Sequence, residues 1–325
     1  MPEKLDEKVG SSVAYKVEEL WILAGVTAAG KTELSLEWAE RNDAEIISCD
    51  SVSFYRGLDI GSAKPGLKDQ KRVVHHGLDL ADVSEVFDVG QFHAYANEVI
   101  EDMVSRGKKV LVVGGSGFFL QGFLQPVVDA LEVSDEVRNH VNTTYEKYGL
   151  DTTLAQLGKL NPKGLGNLDT RNPLRVIRAL ERCLQSERSL IDLQKDFEKL
   201  PIPYAQFTKR MVWLDRKNDE IMDRINLRTQ SMIDGGMIEE AEQAIRAGIL
   251  RHPSLSQSVG YREIIKFIKE GGPRKDLVSS IVQSTRQLVS KQRKWFRKHF
   301  PTGSCLQVST EKPLSVDQIP WVAGT

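Results

Sequence analysis

Short apolar runs alternate with amphipathic stretches over the first 125 positions of the chain. The runs lie at residues 21–24, 46–49 and 110–113, and the last of them is apolar throughout, as is typical of a strand buried on both faces of a parallel sheet. Segments with helical spacing follow two of these runs, at residues 33–41 and 92–104. This alternation predicts an α/β fold built on a doubly wound parallel sheet.

The pattern changes near residue 126, after which helical spacing dominates without a clear strand. An apolar run at residues 211–214 then predicts a return to the sheet, and the rest of the chain reads as a helical C-terminal part. We therefore expect a discontinuous core domain at 18–125 and 204–300, a helical insertion domain at 126–203, a flexible leader at 1–17 and a loosely ordered tail at 301–325.

The first apolar run leads into a glycine-rich segment, residues 25–32, which we call the phosphate loop. It reads Gly-Val-Thr-Ala-Ala-Gly-Lys-Thr, the G-x-x-x-x-G-K-[ST] spacing, between a predicted strand and a predicted helix. Backbone amides and the helix N-terminus attract phosphate, Lys31 adds a full charge, and the Thr32 hydroxyl is placed to bind Mg²⁺. The loop residues expected to bind a diphosphate are Gly25, Thr27, Ala28, Ala29, Gly30, Lys31 and Thr32.

Two further polar features follow predicted strands. Asp50 comes after the strand at 44–49, and Ser116 lies in the Gly-Gly-Ser-Gly stretch after the strand at 110–113. Because ligands bind beyond the carboxyl ends of parallel strands, both should meet the phosphate loop at one crevice. Asp50 is then either a general base or Mg²⁺-orienting carboxylate, or a residue that caps its own turn, and Ser116 is a hydrogen-bonding hydroxyl or a turn residue. The strand at 110–113 lacks the carboxylate by which motor and switch ATPases hold Mg²⁺.

Composition narrows the class of protein. The net charge is −1, so any affinity for nucleic acid must come from local patches, such as the arginines at 175, 178 and 182 and the acid-free stretch 286–298. The three widely spaced cysteines exclude a disulfide framework and a cysteine-based zinc module. No apolar run is long enough to span a bilayer, and residues 1–17 do not resemble a signal peptide. We expect a cytoplasmic protein that does not enter membranes.

Several motifs together resemble the tRNA dimethylallyltransferases, also called tRNA isopentenyltransferases. Besides the phosphate loop, the resemblance rests on residues 46–51, 55–65, 74–79, 113–117, 172–181, 259–263 and 292–297. It implies a P-loop NTPase-like core and the transfer of a dimethylallyl group from dimethylallyl diphosphate to N6 of adenosine-37, 3′-adjacent to the anticodon, in tRNAs that read codons beginning with U. The implied cofactor is Mg²⁺, the implied partner is the tRNA anticodon stem-loop, and a monomer is expected.

The resemblance also implies residue roles. Lys31 and Mg²⁺ near Thr32 would stabilise the leaving diphosphate, and Arg228 would reach the same group. Asp50 would accept the proton of the adenine amine, and Ser116, where the family usually has threonine, would hold that amine. The implied tRNA-binding residues are Ser51, Val52, Ser53, Arg175, Arg178, Gly260, Tyr261, Arg262, Lys291, Gln292, Arg293, Lys294 and Arg297.

The chain departs from the family pattern mainly where RNA is expected. Val52 and Ser53 stand where the family commonly has arginine or another long residue and then glutamine, and Phe119 replaces a tyrosine. Two alternatives therefore stay open. One is a P-loop kinase with ATP in the loop and the arginines of 171–182 as a lid, and the other is a catalytically weakened RNA-binding paralogue.

Overall fold

The computed structural model describes residues 18–312 and 314–324. Its core is a seven-stranded sheet with the order β3-β2-β4-β1-β5-β6, in which β7 also pairs with β5. The pairs are parallel except for the antiparallel pair β5–β7. The strands are β1 (Glu18–Gly25), β2 (Ala44–Cys49), β3 (His75–His76), β4 (Lys109–Gly114), β5 (Phe207–Asp215), β6 (Cys305–Gln307) and β7 (Val322–Ala323).

Helices connect the strands and cover the sheet, which confirms the predicted α/β class. Their ends follow local chemistry: the Asp88 side chain accepts a hydrogen bond from the Gln91 amide to begin α3, and Asn172 caps α6 ahead of Pro173. The helices are α1 (Lys31–Asn42), α2 (Leu67–Arg72), α3 (Val89–Ser105), α4 (Gly117–Gln121), α5 (Asp135–Leu160), α6 (Pro173–Ser186), α7 (Leu190–Phe197), α8 (Asn218–Asp234), α9 (Met237–Arg246), α10 (Tyr261–Glu270) and α11 (Arg274–His299).

The register of the central strands brings the polar features to one edge of the sheet. Gly114 at the end of β4 aligns with Ala24 on β1 and with Cys49 on β2. A Cβ on Gly114 would overlap the Cys49 carbonyl oxygen, so only glycine permits this close approach. The phosphate loop, Asp50 and the residues after Gly114 consequently leave the sheet side by side.

The chain divides into two compact units, one of residues 18–121 with 204 onward and the other of Gly122–Pro203. The second unit contains α5, α6 and α7 around a small apolar core that includes Val141, Leu157 and Leu180. This insertion begins at residue 122, four residues before the start that the sequence pattern predicts.

The prediction of a loosely ordered tail after residue 300 is wrong. Strand β6 pairs with the end of β5, and β7 pairs with its middle. Trp321 packs edge-on against Trp21 and Trp38, with ring centroids 4.8 and 5.4 Å away. Strands of three and two residues are too short to show a hydrophobic pattern in the sequence. The predicted leader, residues 1–17, lies outside the described residues.

Within the described ranges, no helix has the length and apolar character needed to cross a membrane.

Candidate active site

A cavity of about 1200 Å³ opens at the carboxyl edge of the sheet. Its wall is formed by the phosphate loop, by residues 50–53, 61–65 and 113–118, and by side chains from α8 and α11. All of these residues belong to the larger unit. The predicted convergence of the phosphate loop, Asp50 and Ser116 is therefore seen in the geometry.

The phosphate loop is wrapped around the ammonium group of Lys31. Lys31 Nζ donates hydrogen bonds to the carbonyls of Gly25 at 3.0 Å and Val26 at 3.1 Å. Burial lowers the pKa of Lys31 to about 8, the carboxylate of Asp50 opposes this shift, and Arg228 adds to it. All three side chains line the same cavity.

Three arginine side chains, one directly after β5 and two on α8, contact the phosphate loop. Arg224 Nε donates to the Ala28 carbonyl at 2.7 Å, and Arg216 Nε donates to the Ala29 carbonyl at 2.9 Å. Arg228 lies 3.5 Å from the Thr27 hydroxyl.

Of these arginines only Arg228 was predicted from the sequence, and Arg216 and Arg224 were not. A signal was present, since Arg224 and Arg228 are four positions apart and so share one face of α8. Burial lowers the pKa of both side chains, yet arginine keeps its charge at any ordinary pH. The cavity wall therefore concentrates positive charge beside the phosphate loop.

Asp50 caps its own turn and also lines the cavity. Its Oδ1 accepts a hydrogen bond from the Val52 amide at 3.0 Å, which is the expected turn cap. Its Oδ2 has no hydrogen-bond partner in the described part of the chain, and Asp50 lines the cavity. Ser116 Oγ accepts from the Ser51 amide at 3.1 Å and lies 3.4 Å from the Ser51 hydroxyl. A carboxylate oxygen and two hydroxyls thus lie on the cavity wall next to the cationic region.

A buried carboxylate fixes the loop that forms another part of the wall. Glu240 accepts hydrogen bonds from the amides of residues 59, 60 and 61 at 2.8, 2.8 and 2.9 Å, and from the Tyr261 hydroxyl at 2.6 Å. A Cβ on Gly61 would lie 2.6 Å from the Tyr261 ring, so glycine allows the ring to pack there. Glu240 was not predicted from the sequence, because no motif marks it.

Four of the residues assigned to tRNA have partners inside the protein, and their contact with RNA stays a prediction. Gln292 is buried and bridges the Thr27 amide and the Gly115 carbonyl, and Arg293 forms a two-pronged pair with the buried Asp215 at 2.8–2.9 Å. Tyr261 is buried against Glu240, and Ser53 is buried with its hydroxyl on the Asp50 carbonyl at 3.0 Å. These groups are occupied inside the protein and hold the site together. A motif resemblance cannot separate them from residues that touch RNA.

The other residues assigned to tRNA remain predictions. Ser51, Val52 and Arg262 line the cavity, although Arg262 is also paired with Glu263 at 2.6 Å. The Gly260 amide is bonded to Glu263 at 2.7 Å. The remaining five are exposed basic residues, of which Arg178 is paired with Glu181 at 2.8 Å: Lys291, Lys294 and Arg297 on α11, and Arg175 and Arg178 on α6 of the smaller unit.

The comparisons with known proteins all indicate the same family. The family model described as IPP transferase matches residues 53–299. A tRNA dimethylallyltransferase of Opitutus terrae is 44% identical over 282 residues, which cover 87% of this chain and 91% of the relative. A protein named tRNA dimethylallyltransferase 2 from Geotalea daltonii is 32% identical, covering 86% of this chain and 84% of its own.

Solved structures agree with the sequence matches. The tRNA delta(2)-isopentenylpyrophosphate transferase of Staphylococcus epidermidis is 26% identical with a TM-score of 0.63, covering 92% of this chain and 95% of its own. The tRNA isopentenylpyrophosphate transferase of Bacillus halodurans is 28% identical with a TM-score of 0.64, covering 90% of this chain and 92% of its own. The family model spans well over half of the chain and the relatives align over most of their length, so this protein belongs to the IPP transferase family.

Proposed function

We propose that this protein transfers a dimethylallyl group from dimethylallyl diphosphate to N6 of adenosine-37 in tRNAs that read codons beginning with U. The observation that carries the proposal is the placement of Asp50 beside the Lys31 ammonium in one cavity, with one carboxylate oxygen that no other described residue binds. The names of the relatives, tRNA dimethylallyltransferases, support this choice of substrates.

The cationic half of the cavity suits a diphosphate leaving group. Lys31, Arg224 and Arg228 provide positive charge, and the phosphate loop adds backbone amides at the N-terminus of α1. As the bond between the allylic carbon and the diphosphate oxygen breaks, negative charge grows on that oxygen. Groups already in place stabilise this charge in the transition state.

The other half suits an amine that must lose a proton. The lone pair of the adenine N6 is delocalised into the ring, so this nitrogen is a weak nucleophile. While N6 bonds to the allylic carbon, its proton passes to Asp50 Oδ2, and diphosphate departs with the electron pair of the broken bond. Ser116 and Ser51 supply hydroxyls beside Asp50 that can hold the amine. The target base has to leave the anticodon-loop stack to reach this position.

Mg²⁺ is the proposed cofactor, and the residues present fit it. Thr32 offers a hydroxyl oxygen on the cavity wall, and Mg²⁺ commonly takes its other ligands from substrate phosphates and water. The described residues contain no cluster of three or more His, Cys, Asp or Glu side chains able to hold a metal. When bound, the ion would neutralise charge on the diphosphate.

The anticodon stem-loop is the proposed macromolecular partner. Lys291, Lys294 and Arg297 are exposed on α11, the helix that also lines the cavity, so they can meet phosphates of an RNA whose base enters it. A monomeric state and a cytoplasmic location remain predictions from the sequence.

One assay tests the proposal against the alternatives. The protein is incubated with tRNA and labelled dimethylallyl diphosphate, and in parallel with labelled ATP and candidate acceptors. Label on the tRNA adenosine is the expected result. Phosphate transfer from ATP would instead establish a kinase, and tight tRNA binding with neither transfer would establish an RNA-binding paralogue.

A further inference from the structure

The C-terminal segment reaches the phosphate loop through a chain of hydrogen bonds. Arg216 Nη1 donates to the Thr310 hydroxyl at 3.1 Å and to Glu220 Oε1 at 3.1 Å. The Thr310 amide donates to the same carboxylate oxygen at 2.5 Å. The Nε of Arg216 then donates to the Ala29 carbonyl at 2.9 Å. Thr310 is therefore two hydrogen bonds away from the phosphate loop.

The contact with Ala29 fixes the direction of a loop amide. A trans peptide is planar, with its C=O and N–H pointing to opposite sides. Because Arg216 holds the Ala29 carbonyl, the N–H of Gly30 in the same peptide points away from Arg216. Gly30 lines the cavity, whereas Arg216 lies outside the described cavity wall. The hydrogen bond to the Ala29 carbonyl thus directs the Gly30 amide toward the cavity, where the diphosphate is proposed to bind.

Arg216 depends on its partners to keep this position. Its side chain is only 10% exposed, and a guanidinium that is largely removed from water needs its donors satisfied. Glu220 and Thr310 together occupy Nη1, which leaves Nε oriented toward Ala29. The Thr310 amide also holds the pKa of Glu220 below its usual value, so this carboxylate stays ionised opposite Arg216.

Thr310 is itself held in place by the sheet. It follows β6, which pairs with β5, and the Val308 amide donates to the Asp215 carbonyl at 2.9 Å. The IPP transferase model matches only residues 53–299, so this segment lies beyond the part of the chain that the family model describes.

We propose that Thr310 is a positioning residue for the diphosphate half of the active site, acting through Glu220 and Arg216 on the Ala29–Gly30 peptide. The inference rests on the proposed function, because it assigns a diphosphate to the phosphate loop. It makes the C-terminal segment part of the donor site without any contact between that segment and the substrate.

The test compares Thr310→Val with Thr310→Ser, which keeps the hydroxyl, and with Thr302→Val, the same substitution at an exposed site of the same segment. Affinity for inorganic diphosphate with Mg²⁺ is measured by calorimetry, and KM is measured separately for dimethylallyl diphosphate and for tRNA. Because one hydrogen bond to a charged group is lost at an exposed position, we expect Thr310→Val to weaken diphosphate binding and raise the donor KM about threefold to tenfold. The KM for tRNA stays unchanged, and Thr310→Ser and Thr302→Val behave as wild type.

Two results would overturn the proposal. One is a Thr310→Val protein with wild-type diphosphate affinity and donor KM. The other is an equal rise in both KM values together with a lower melting temperature, which would indicate a purely structural role. If the wild-type protein transfers no prenyl group, the proposed function fails. The calorimetric comparison would still decide whether Thr310 supports diphosphate binding.

Discussion

The side-chain oxygen of Gln292 accepts a hydrogen bond from the backbone amide of Thr27 at 2.9 Å, across 265 positions of sequence. The amide nitrogen of the same side chain donates to the Gly115 carbonyl at 3.0 Å. One buried carboxamide therefore joins the phosphate loop to the glycine-rich stretch after β4. A donor and an acceptor are both required at this position.

Gln292→Glu should break this tie while keeping the shape of the side chain. A carboxylate can accept from Thr27 but would face the Gly115 carbonyl without a hydrogen to donate. We expect a loss of about 1–3 kcal/mol in the free energy of unfolding, the cost of an unsatisfied buried polar group, and weaker diphosphate binding. Urea unfolding measures the first effect, with Ser290→Ala on the exposed side of α11 as the control. A variant as stable as wild type would show that Gln292 does not hold the two loops.

Asp50→Asn separates the two roles of Asp50. The amide oxygen can still accept from Val52, so the turn is kept, but the side chain can no longer take a proton. We expect the rate of prenyl transfer to fall about 10²- to 10⁴-fold, while tRNA affinity stays close to that of wild type. Single-turnover transfer with saturating tRNA measures the rate. A variant with more than half of the wild-type rate would remove Asp50 from the role of base.

The lowered pKa of Lys31 predicts a pH dependence of diphosphate binding. Its pKa in the unliganded protein is lowered to about 8, so the ammonium is charged below that pH and loses its proton above it. Affinity should therefore fall as the pH rises through 8, and binding at that pH should take up protons. Calorimetry in buffers of different ionisation enthalpy measures the uptake. The control is Lys31→Arg, which stays charged and should flatten the profile. The ligand ionises identically with both proteins, so a difference between the two profiles comes from residue 31. Parallel profiles for the two proteins would contradict the assignment.

Local signals in the sequence were sufficient for the core of the fold. The apolar runs that became β1, β2, β4 and β5 and the spacing of the phosphate loop each lie within a few residues, and Gly114 allows the close strand pairing that brings Asp50 to the loop. Strands β6 and β7 have only three and two residues, so their presence depends on pairing with a strand about a hundred positions away. No pattern within such a short segment can predict that pairing.

The candidate site also contains residues that local signals identify and residues that only contacts between distant segments identify. Lys31 and Asp50 could be named because a motif or a strand end places them. Glu240 could not, since its three amide partners lie about 180 positions earlier in the chain. Gln292 was named but given to RNA, because a motif marks a residue as belonging to the site without indicating what it contacts. Contacts between distant segments decide such roles.

Arg293 and Arg297 lie one turn apart on α11, and the structure predicts opposite effects for them. Arg293 is 17% exposed and paired with Asp215, which is 5% exposed. Arg293→Gln would leave a buried carboxylate unpaired, so we expect about 3–5 kcal/mol of lost stability. Arg297 is exposed, and Arg297→Gln should leave stability unchanged while weakening tRNA binding and reducing the slope of log K against log salt by about 0.7–0.9. Urea unfolding and filter binding at several salt concentrations measure both variants. If Arg293→Gln lowers the salt slope without loss of stability, Arg293 contacts RNA after all, and the Asp215 pair is not what fixes its position.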